Sequence, residues 1–511
     1  MKKIDVSKSL IFSSKVKDLK NALEYLDQKG YFSNCKDFSN YEDGQLDVVH
    51  VASFMFSSYV VMSNEVSKFF SYFIPKSKVV FVEEEPKRKQ MKLYKHQEEA
   101  LERTKNFNKV AFYHDMGLGK TFTGSEKMRM LNNNVNLIVC QKSKVADWIK
   151  HCEENMPNEF VIFDLTNKQD FDLFFTWRNH ETKKIGIINY ELVFRREELA
   201  SLQDFTLLLD ESSMIQNDKA KRTKAILKLK ASNVILLSGT PVGGKYENLF
   251  SQLKLLGWKI TKKQFWNNYI NYELVQYGGP FSPMLPKIKG YKNVDDLKKM
   301  LKIYGADFLK SDEVFDLPSQ NFNMIKVPIS KEYKEFKKEK YICIEDKDFI
   351  GDTPLKIMLY ARMMCSTYNK YKLDAFVDLI DSTDDRLIVF YNFTDELEAL
   401  KKVIENRPCS FVNGSERDLS NYENVDNSIT FVQYQAGAMG LNLQKANKII
   451  YYSLPLSSEL YEQSKKRIHR IGQNRPCFYY LLLAENSIEE RIKTTLDKRN
   501  DYTQELFNED F

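Results

Sequence analysis

Beyond residue 90 the chain repeats one pattern: a short apolar run closed by turn residues, then a longer amphipathic stretch. Val110–Tyr113, Leu137–Cys140, Ile185–Ile188, Leu207–Leu209 and Val234–Leu237 are such runs. Apolar throughout, they read as strands covered on both faces, with the stretches between them as covering helices. A Lys- and aromatic-rich stretch from about Leu249 to Lys340 predicts helical material. Apolar runs then return at Leu387–Tyr391, Ile429–Val432, Ile449–Tyr452 and Phe478–Leu483, and Ile488–Leu506 predicts a closing helix. The expected fold is α/β: two doubly wound parallel-sheet lobes with helical insertions between them.

The first part of the chain follows a different pattern. Lys15–Gln28 predicts a helix on Val16, Leu19, Leu23 and Leu26, and Val48–Val61 and Lys78–Val82 predict strands. The charged, proline-containing stretch Glu83 to Lys89 reads as a linker. The expected organisation is a small α+β accessory domain at 1–85, a first lobe at 90–257, a helical insertion and inter-lobe segment at 258–370, a second lobe at 371–487 and a C-terminal helix at 488–511.

Composition narrows the function classes. With 511 residues and 43% apolar side chains the chain can bury several cores. A net charge of +6 permits a nucleic-acid partner without requiring one. The seven cysteines form no CxxC pair, which argues against a disulfide framework or a zinc site. No apolar run approaches a membrane span. A cytoplasmic monomer is expected.

The chemistry sits at the ends of the predicted strands. His114-Asp115-Met116-Gly117-Leu118-Gly119-Lys120-Thr121 follows one strand and opens a helix. It matches a phosphate-binding loop except that His114 stands at the first glycine position. In such a loop, backbone amides hold phosphate oxygens, Lys120 reaches the β- and γ-phosphates, and Thr121 offers a hydroxyl to Mg²⁺. A glycine turn with a chance lysine is the rival reading, and the strand–loop–helix context disfavours it. Asp210 and Glu211 end the run Leu207–Leu209, the edge where open parallel sheets bind ligands. Asp210 suits Mg²⁺, and Glu211 suits the orientation and deprotonation of a water molecule.

Several further stretches carry a resemblance. They are Lys92–Gln97, Asp115–Thr121, Ile187–Glu191, Ser238-Gly239-Thr240-Pro241, Phe308–Lys310 with Leu317-Pro318, Gly437–Leu443, Gln463, Arg467-Ile468-His469-Arg470-Ile471-Gly472-Gln473 and Glu489–Ile492. In this order and spacing the chain resembles the Swi/Snf-type DNA translocases of helicase superfamily two, over about residues 90–500. The resemblance implies two RecA-like lobes and ATP with Mg²⁺ as cofactors. It implies nucleotide contacts from Tyr94, Gln97, Met116, Gly117, Leu118, Gly119, Gly440 and Gln463, and coupling by Ser238 and Thr240. It also implies that Arg467 and Arg470 reach the γ-phosphate from the second lobe; without the other motifs they would read as a surface basic helix.

Three departures stand out: Ser213 where histidine is common, Tyr434-Gln435 where a Thr-Arg pair is common, and no tryptophan within 453–461. The first suggests that a hydroxyl serves where the family uses an imidazole. The second puts the DNA contacts of that loop in doubt.

Strand tips facing the inter-lobe groove are the expected track for nucleic acid: Lys142, Ser143 and Lys144 in one lobe, Asn392, Thr394 and Gln435 in the other. Each lysine could equally be a solvated charge, and Trp148 reads as packing rather than a stacking platform. The function that follows is ATP-dependent translocation on DNA, double-stranded by the resemblance, remodelling protein–DNA complexes or branched DNA in replication, recombination or repair. A strand-separating helicase and a slowly hydrolysing ATP-gated clamp are the alternatives. Protein partners for residues 1–85 are a further expectation.

Overall fold

A computed structural model describes residues 2–6, 52–54, 57–62 and 93–507, except 157–158, 178–182, 277–281, 405–406 and 438–440. The expected helix Lys15–Gln28, the strand Lys78–Val82, the linker and Gly440 lie outside these residues. The chain divides into two compact units, Met1–Gln90 and Met91–Phe511. In the first, β1 (Lys2–Val6) and β2 (Ala52–Phe54) both pair antiparallel with β3 (Ser57–Met62).

The second unit holds two sheets. Its first lobe contributes β4 (Lys109–His114), β5 (Val135–Cys140), β6 (Phe160–Asp164), β7 (Lys183–Asn189), β8 (Phe205–Asp210) and β9 (Asn233–Leu237). A hairpin of β10 (Ile270–Gln276) and β11 (Met284–Tyr291) follows, then β12 (Ala306–Leu309) and β13 (Gln320–Val327). A second hairpin, β14 (Tyr341–Ile344) and β15 (Lys347–Ile350), precedes β16 (Leu387–Tyr391), β17 (Cys409–Val412), β18 (Arg417–Asp418), β19 (Ile429–Gln433), β20 (Lys448–Tyr451) and β21 (Cys477–Ala484).

Among the described residues, the first sheet has the order β12-β4-β9-β8-β5-β7-β6 and the second β13-β21-β20-β16-β19-β17-β18. All pairs are parallel except β17 with β18. The apolar runs became strands because helices cover both faces: Val110, Ala111, Phe112 and Tyr113 are fully buried, as are Leu207, Leu208 and Leu209. The expected doubly wound α/β architecture of two lobes is the observed one.

The stretch 258–370 departs from its expected helical character. It holds helices at Lys262–Tyr269, Val294–Ile303, Lys331–Glu339 and Pro354–Ser366, but also both hairpins. In addition, β12 extends the first sheet beside β4, and β13 extends the second beside β21. β13 reads Gln-Asn-Phe-Asn-Met-Ile-Lys-Val, mostly exposed on one edge, so it lacks the continuous apolar run of a central strand. The C-terminal helix Ile488–Phe507 is pinned inside the second lobe. Lys372 Nζ donates to both oxygens of Glu489 at 2.6 and 2.7 Å, and both side chains are buried. Among the described residues no helix is long and apolar enough to cross a membrane.

Candidate functional site

In the first sheet the order β4-β9-β8-β5 sets four strand tips side by side. The phosphate loop leaves β4, Ser238–Pro241 leaves β9, Asp210-Glu211 ends β8, and Lys142–Lys144 follows β5. Parallel strands make this one edge, and the fold thereby gathers residues far apart in sequence.

The loop between β4 and the helix Lys120–Leu131 turns on Gly117 (φ 87°) and Gly119 (φ 68°). A side chain at Gly119 would also collide with Gln97, its Cβ falling 2.4 Å from Nε2. Gln97 grips the loop: Nε2 donates to the carbonyls of Leu118 and Gly119, both at 3.2 Å, while Oε1 accepts the Tyr94 N–H at 2.9 Å. His96 Nε2 lies 3.0 Å from the Leu118 carbonyl. Gln97 thus ties the expected adenine-side residues to the phosphate loop. Tyr94 stays exposed, and Phe315 packs edge-on against Tyr94 and His96. His114 is buried, its Nε2 2.7 Å from Asp307, which also takes a two-pronged contact from Arg103. That cluster locks β12 onto β4 directly behind the loop.

Lys120 Nζ donates to the carbonyls of His114 and Asp115 at 3.0 and 3.2 Å. Burial lowers its affinity for a proton, against the pull of Glu211, Asp115 and Asp210. Burial likewise raises both acids, opposed at Asp210 by a hydrogen bond from Trp148 and at Glu211 by the Lys120 charge. Trp148, buried, donates Nε1 to Asp210 Oδ2 at 2.8 Å. Tyr190 donates its hydroxyl to the Asp210 and Glu211 carbonyls at 2.9 and 3.3 Å. Glu211 sits at φ 56°, a left-handed conformation that costs a non-glycine residue about 1 kcal/mol or more. Its Oε1 accepts hydroxyls from Ser213 and Ser238, each at 3.0 Å, and Ser238 Oγ accepts the Thr240 N–H at 3.1 Å. Beneath this, Gln252 receives hydroxyls from Tyr113 and Ser212 and donates to the Pro241 carbonyl, joining three strand tips.

The second lobe meets this edge. Lys466 Nζ reaches Asp115 Oδ2 at 2.7 Å and Ser311 Oγ at 2.9 Å. Burial raises the Asp115 carboxyl, but the Lys466 charge and hydrogen bond, joined by hydrogen bonds from Ser311 and the Met116 N–H, together hold the group below the usual carboxylate range. Ser458 donates to the Gly243 carbonyl at 2.6 Å, and Ser213 Oγ lies 2.7 Å from Glu459 Oε1. Arg467 is buried, and its Nε has no partner among the described residues. Burial and neighbouring Arg470 lower its pKa to about 10, while Glu211 acts the other way. Arg470 lies beside the loop, its Cβ 3.8 Å from where a Gly117 Cβ would stand, and donates to Asn442 at 2.5 Å. Gln463 points to Glu459, with Nε2 3.4 Å from Oε1.

The expected nucleic-acid residues are spread along the strand tips. Lys142 is exposed, and Lys144 is paired with Asp147 at 2.8 Å. The Asn392 amide is engaged with Ser453 Oγ and the Leu454 carbonyl. Thr394 and Gln435 are exposed, whereas Tyr434 is buried and donates its hydroxyl to the Ser453 carbonyl.

The SNF2-related domain family matches residues 96–369, and the helicase conserved C-terminal domain matches 371–472. The chain belongs to the SNF2-related family. It is 24% identical over 432 residues to a Bacillus subtilis protein, YwqA, named for an ATP-dependent helicase/translocase; the match covers 77% of this chain and 46% of that protein. It is 22% identical over 406 residues to the Drosophila melanogaster SWI/SNF-related matrix-associated actin-dependent regulator of chromatin subfamily A-like protein 1, covering 76% and 52%. The Sulfolobus solfataricus SWI2/SNF2 ATPase core, solved with double-stranded DNA, aligns at 19% identity and a TM-score of 0.38, over 83% of this chain and 95% of that one. This SNF2-related chain spans about half the length of the curated relatives it matches.

The residues fit a magnesium-bound triphosphate. Arg467 Nε, without a partner among the described residues, and the Lys120 ammonium, bonded to two carbonyls, are donors suited to phosphate oxygens. Thr121 and Asp210 offer the oxygens a magnesium ion takes. From the sequence, Trp148 reads as packing and Tyr190 only as part of the stretch Ile187–Glu191, and Gln252, Glu459 and Lys466 have no expected role in the site. For Glu459 the one available signal was indirect: Ser213 in place of histidine changes what the partner must be.

Proposed function

We propose that the chain is an ATP-driven motor that moves along double-stranded DNA, remodelling protein–DNA complexes or branched DNA during replication, recombination or repair. The observation that carries this reading is Arg467. From the second lobe its buried side chain comes within charge range of Glu211 in the first, and its Nε has no partner among the described residues. In this reading Lys120, the loop amides, Arg467 and Arg470 hold the triphosphate, with Tyr94 and Gln97 on the base side. Magnesium, held by Thr121 and Asp210, would neutralise charge on the phosphate oxygens. Glu211 orients water and takes its proton as the oxygen bonds to the γ-phosphorus and the bond to ADP breaks. Because the arginines come from the other lobe, hydrolysis requires closure, and opening afterwards resets the cleft. Lys142, Ser143, Lys144, Thr394 and Gln435 line strand tips of both lobes and suit contacts to backbone phosphates, which position a duplex without reading bases.

A second reading, a strand-separating helicase, is favoured by the β10–β11 hairpin, where Leu274, Met284 and Leu285 are exposed like a wedge. ATP turnover with duplex, single-stranded and no DNA, combined with triplex displacement and duplex unwinding, tests both. Duplex-stimulated turnover with displacement and no unwinding is expected. Unwinding that disappears when the hairpin is shortened would replace the favoured reading with the second, and Glu211→Gln with normal turnover would remove the base assignment from both.

A further inference from the structure

One contact across the cleft breaks the ordinary accounting of hydrogen-bond donors. Ser213 Oγ lies 3.0 Å from Glu211 Oε1 and 2.7 Å from Glu459 Oε1. A hydroxyl carries one proton and can donate once. If both carboxyl groups were ionised, one of these short contacts would set an oxygen lone pair against a carboxylate, in a buried place where such a clash is costly. A single proton on one acid resolves the geometry, and two directions exist. With the proton on Glu211, Ser213 donates to Glu459, and Glu211 cannot take a proton from water. With the proton on Glu459, its O–H donates to Ser213 Oγ, and Ser213 donates to an ionised Glu211.

The surroundings favour the second direction. Burial and then Asp210 raise the Glu211 carboxyl too, but it faces Lys120 and accepts the Ser238 hydroxyl, both of which stabilise its negative charge. Glu459 receives less help. From the first lobe it faces the charges of Glu211 and of Arg222, on the helix Lys221–Lys228, together with the Ser213 hydroxyl. On its own helix, Ser458–Lys465, the Gln463 amide lies at 3.4 Å, and Glu462 is occupied by Lys465. On the C-terminal helix packed against it, Lys493 is paired with Asp497. Burial first, then the charge of Glu211, push the Glu459 carboxyl up to about 7, against Ser213 and Arg222.

We propose that Glu459 is a positioning residue for Glu211: neutral in the closed cleft, it donates to Ser213 and so holds that hydroxyl on the hydrolytic carboxylate, and each closure takes up a proton. The inference rests on Glu211 as the base. It gives the serine that stands in place of the family's histidine a partner and a task. In the open cleft a solvated glutamate is ionised at neutral pH. The closed state raises its pKa. Glu459 therefore supports closure fully at pH values below its open-state pKa, and that support fades as pH rises through about 7.

The test is the pH dependence of kcat for the full chain at saturating ATP, Mg²⁺ and duplex DNA. The variants are Glu459→Gln, Glu459→Ala, Ser213→Ala and Glu211→Gln, each checked for cooperative unfolding. Wild type should lose activity on the alkaline side, approaching about tenfold per pH unit where closure limits the rate. Glu459→Gln carries an N–H donor at every pH, so its alkaline limb should flatten. Above pH 8 it should exceed Glu459→Ala by about tenfold, the scale of one buried hydrogen bond. Ser213→Ala should fall with Glu459→Ala and show no rescue by Glu459→Gln in the double variant. An alkaline limb in Glu459→Gln matching wild type, or equal rates for the Gln and Ala variants, overturns the proposal while an inactive Glu211→Gln leaves the base assignment standing. Normal turnover in Glu211→Gln would instead remove the base reading itself.

Discussion

Trp148→Phe would remove one N–H from the site while keeping an aromatic ring in place. Trp148 is 2% exposed and its Nε1 lies 2.8 Å from Asp210 Oδ2, so no water replaces the lost donor without rearrangement. A hydrogen bond to a buried charged group is worth about 1.5–3 kcal/mol. If that energy holds the carboxylate ionised and aimed for magnesium, losing it weakens metal-dependent turnover by roughly 10- to 100-fold. The loss should appear as a higher Mg²⁺ concentration for half-maximal ATP hydrolysis. It should also appear in the pH profile. Burial already raises Asp210 and the Trp148 bond opposes it, so without the bond the carboxyl rises further and the acid limb moves to higher pH. Denaturant unfolding separates this from the packing loss of a smaller ring. A well-folded Trp148→Phe protein with wild-type Mg²⁺ dependence and acid limb would refute the assignment of Asp210 and of its indole support together.

Four further outcomes follow from the geometry. Arg467→Ala and Arg470→Ala should each retain nucleotide binding but lose about 10³-fold or more in kcat, read by single-turnover hydrolysis. Gly119→Ala should abolish binding of a fluorescent ATP analogue, because the residue is left-handed and the new methyl would meet Gln97. Lys372→Met leaves Glu489 buried without its cation and should cost about 3–5 kcal/mol in denaturant unfolding, with Lys372→Met/Glu489→Leu recovering most of it. Lys466→Ala should shift a dye pair on the two lobes toward separation at neutral pH. Because Lys466 depresses Asp115, the wild-type bridge persists above the usual carboxylate range and is lost as pH falls through the depressed value, so the two proteins should converge in acid.

How much of this could be read from the sequence depends on where each residue's partner lies. Val110–Tyr113 and Leu207–Leu209 announced themselves because a parallel strand covered on both faces is apolar without interruption. The phosphate loop and the acidic pair were visible because each is contiguous and sits at the end of such a run. β12 and β13 were not, since an edge strand with polar positions such as Asn321 and Asn323 carries no comparable signature. The supports of the site were hidden for a different reason. Trp148 meets Asp210 62 residues away, and Ser213 meets Glu459 246 residues away, and nothing local distinguishes either from its neighbours. Tyr434 shows the converse: an unusual residue at a motif position turned out to be a buried packing group with a satisfied hydroxyl.

The chain crosses from one lobe to the other between Leu309, at the end of β12, and Gln320, at the start of β13. About ten residues, fully stretched, reach roughly 35 Å, which caps how far the halves can part however weakly they attract. The same strap carries Ser311, bonded to Asp115 at 2.7 Å, and Phe315, packed on Tyr94 and His96. A leash whose near end is fastened at the phosphate loop cannot be paid out without disturbing that loop. If the lobes move as proposed, what sits against the phosphate loop and how far the lobes can travel would be one mechanical variable.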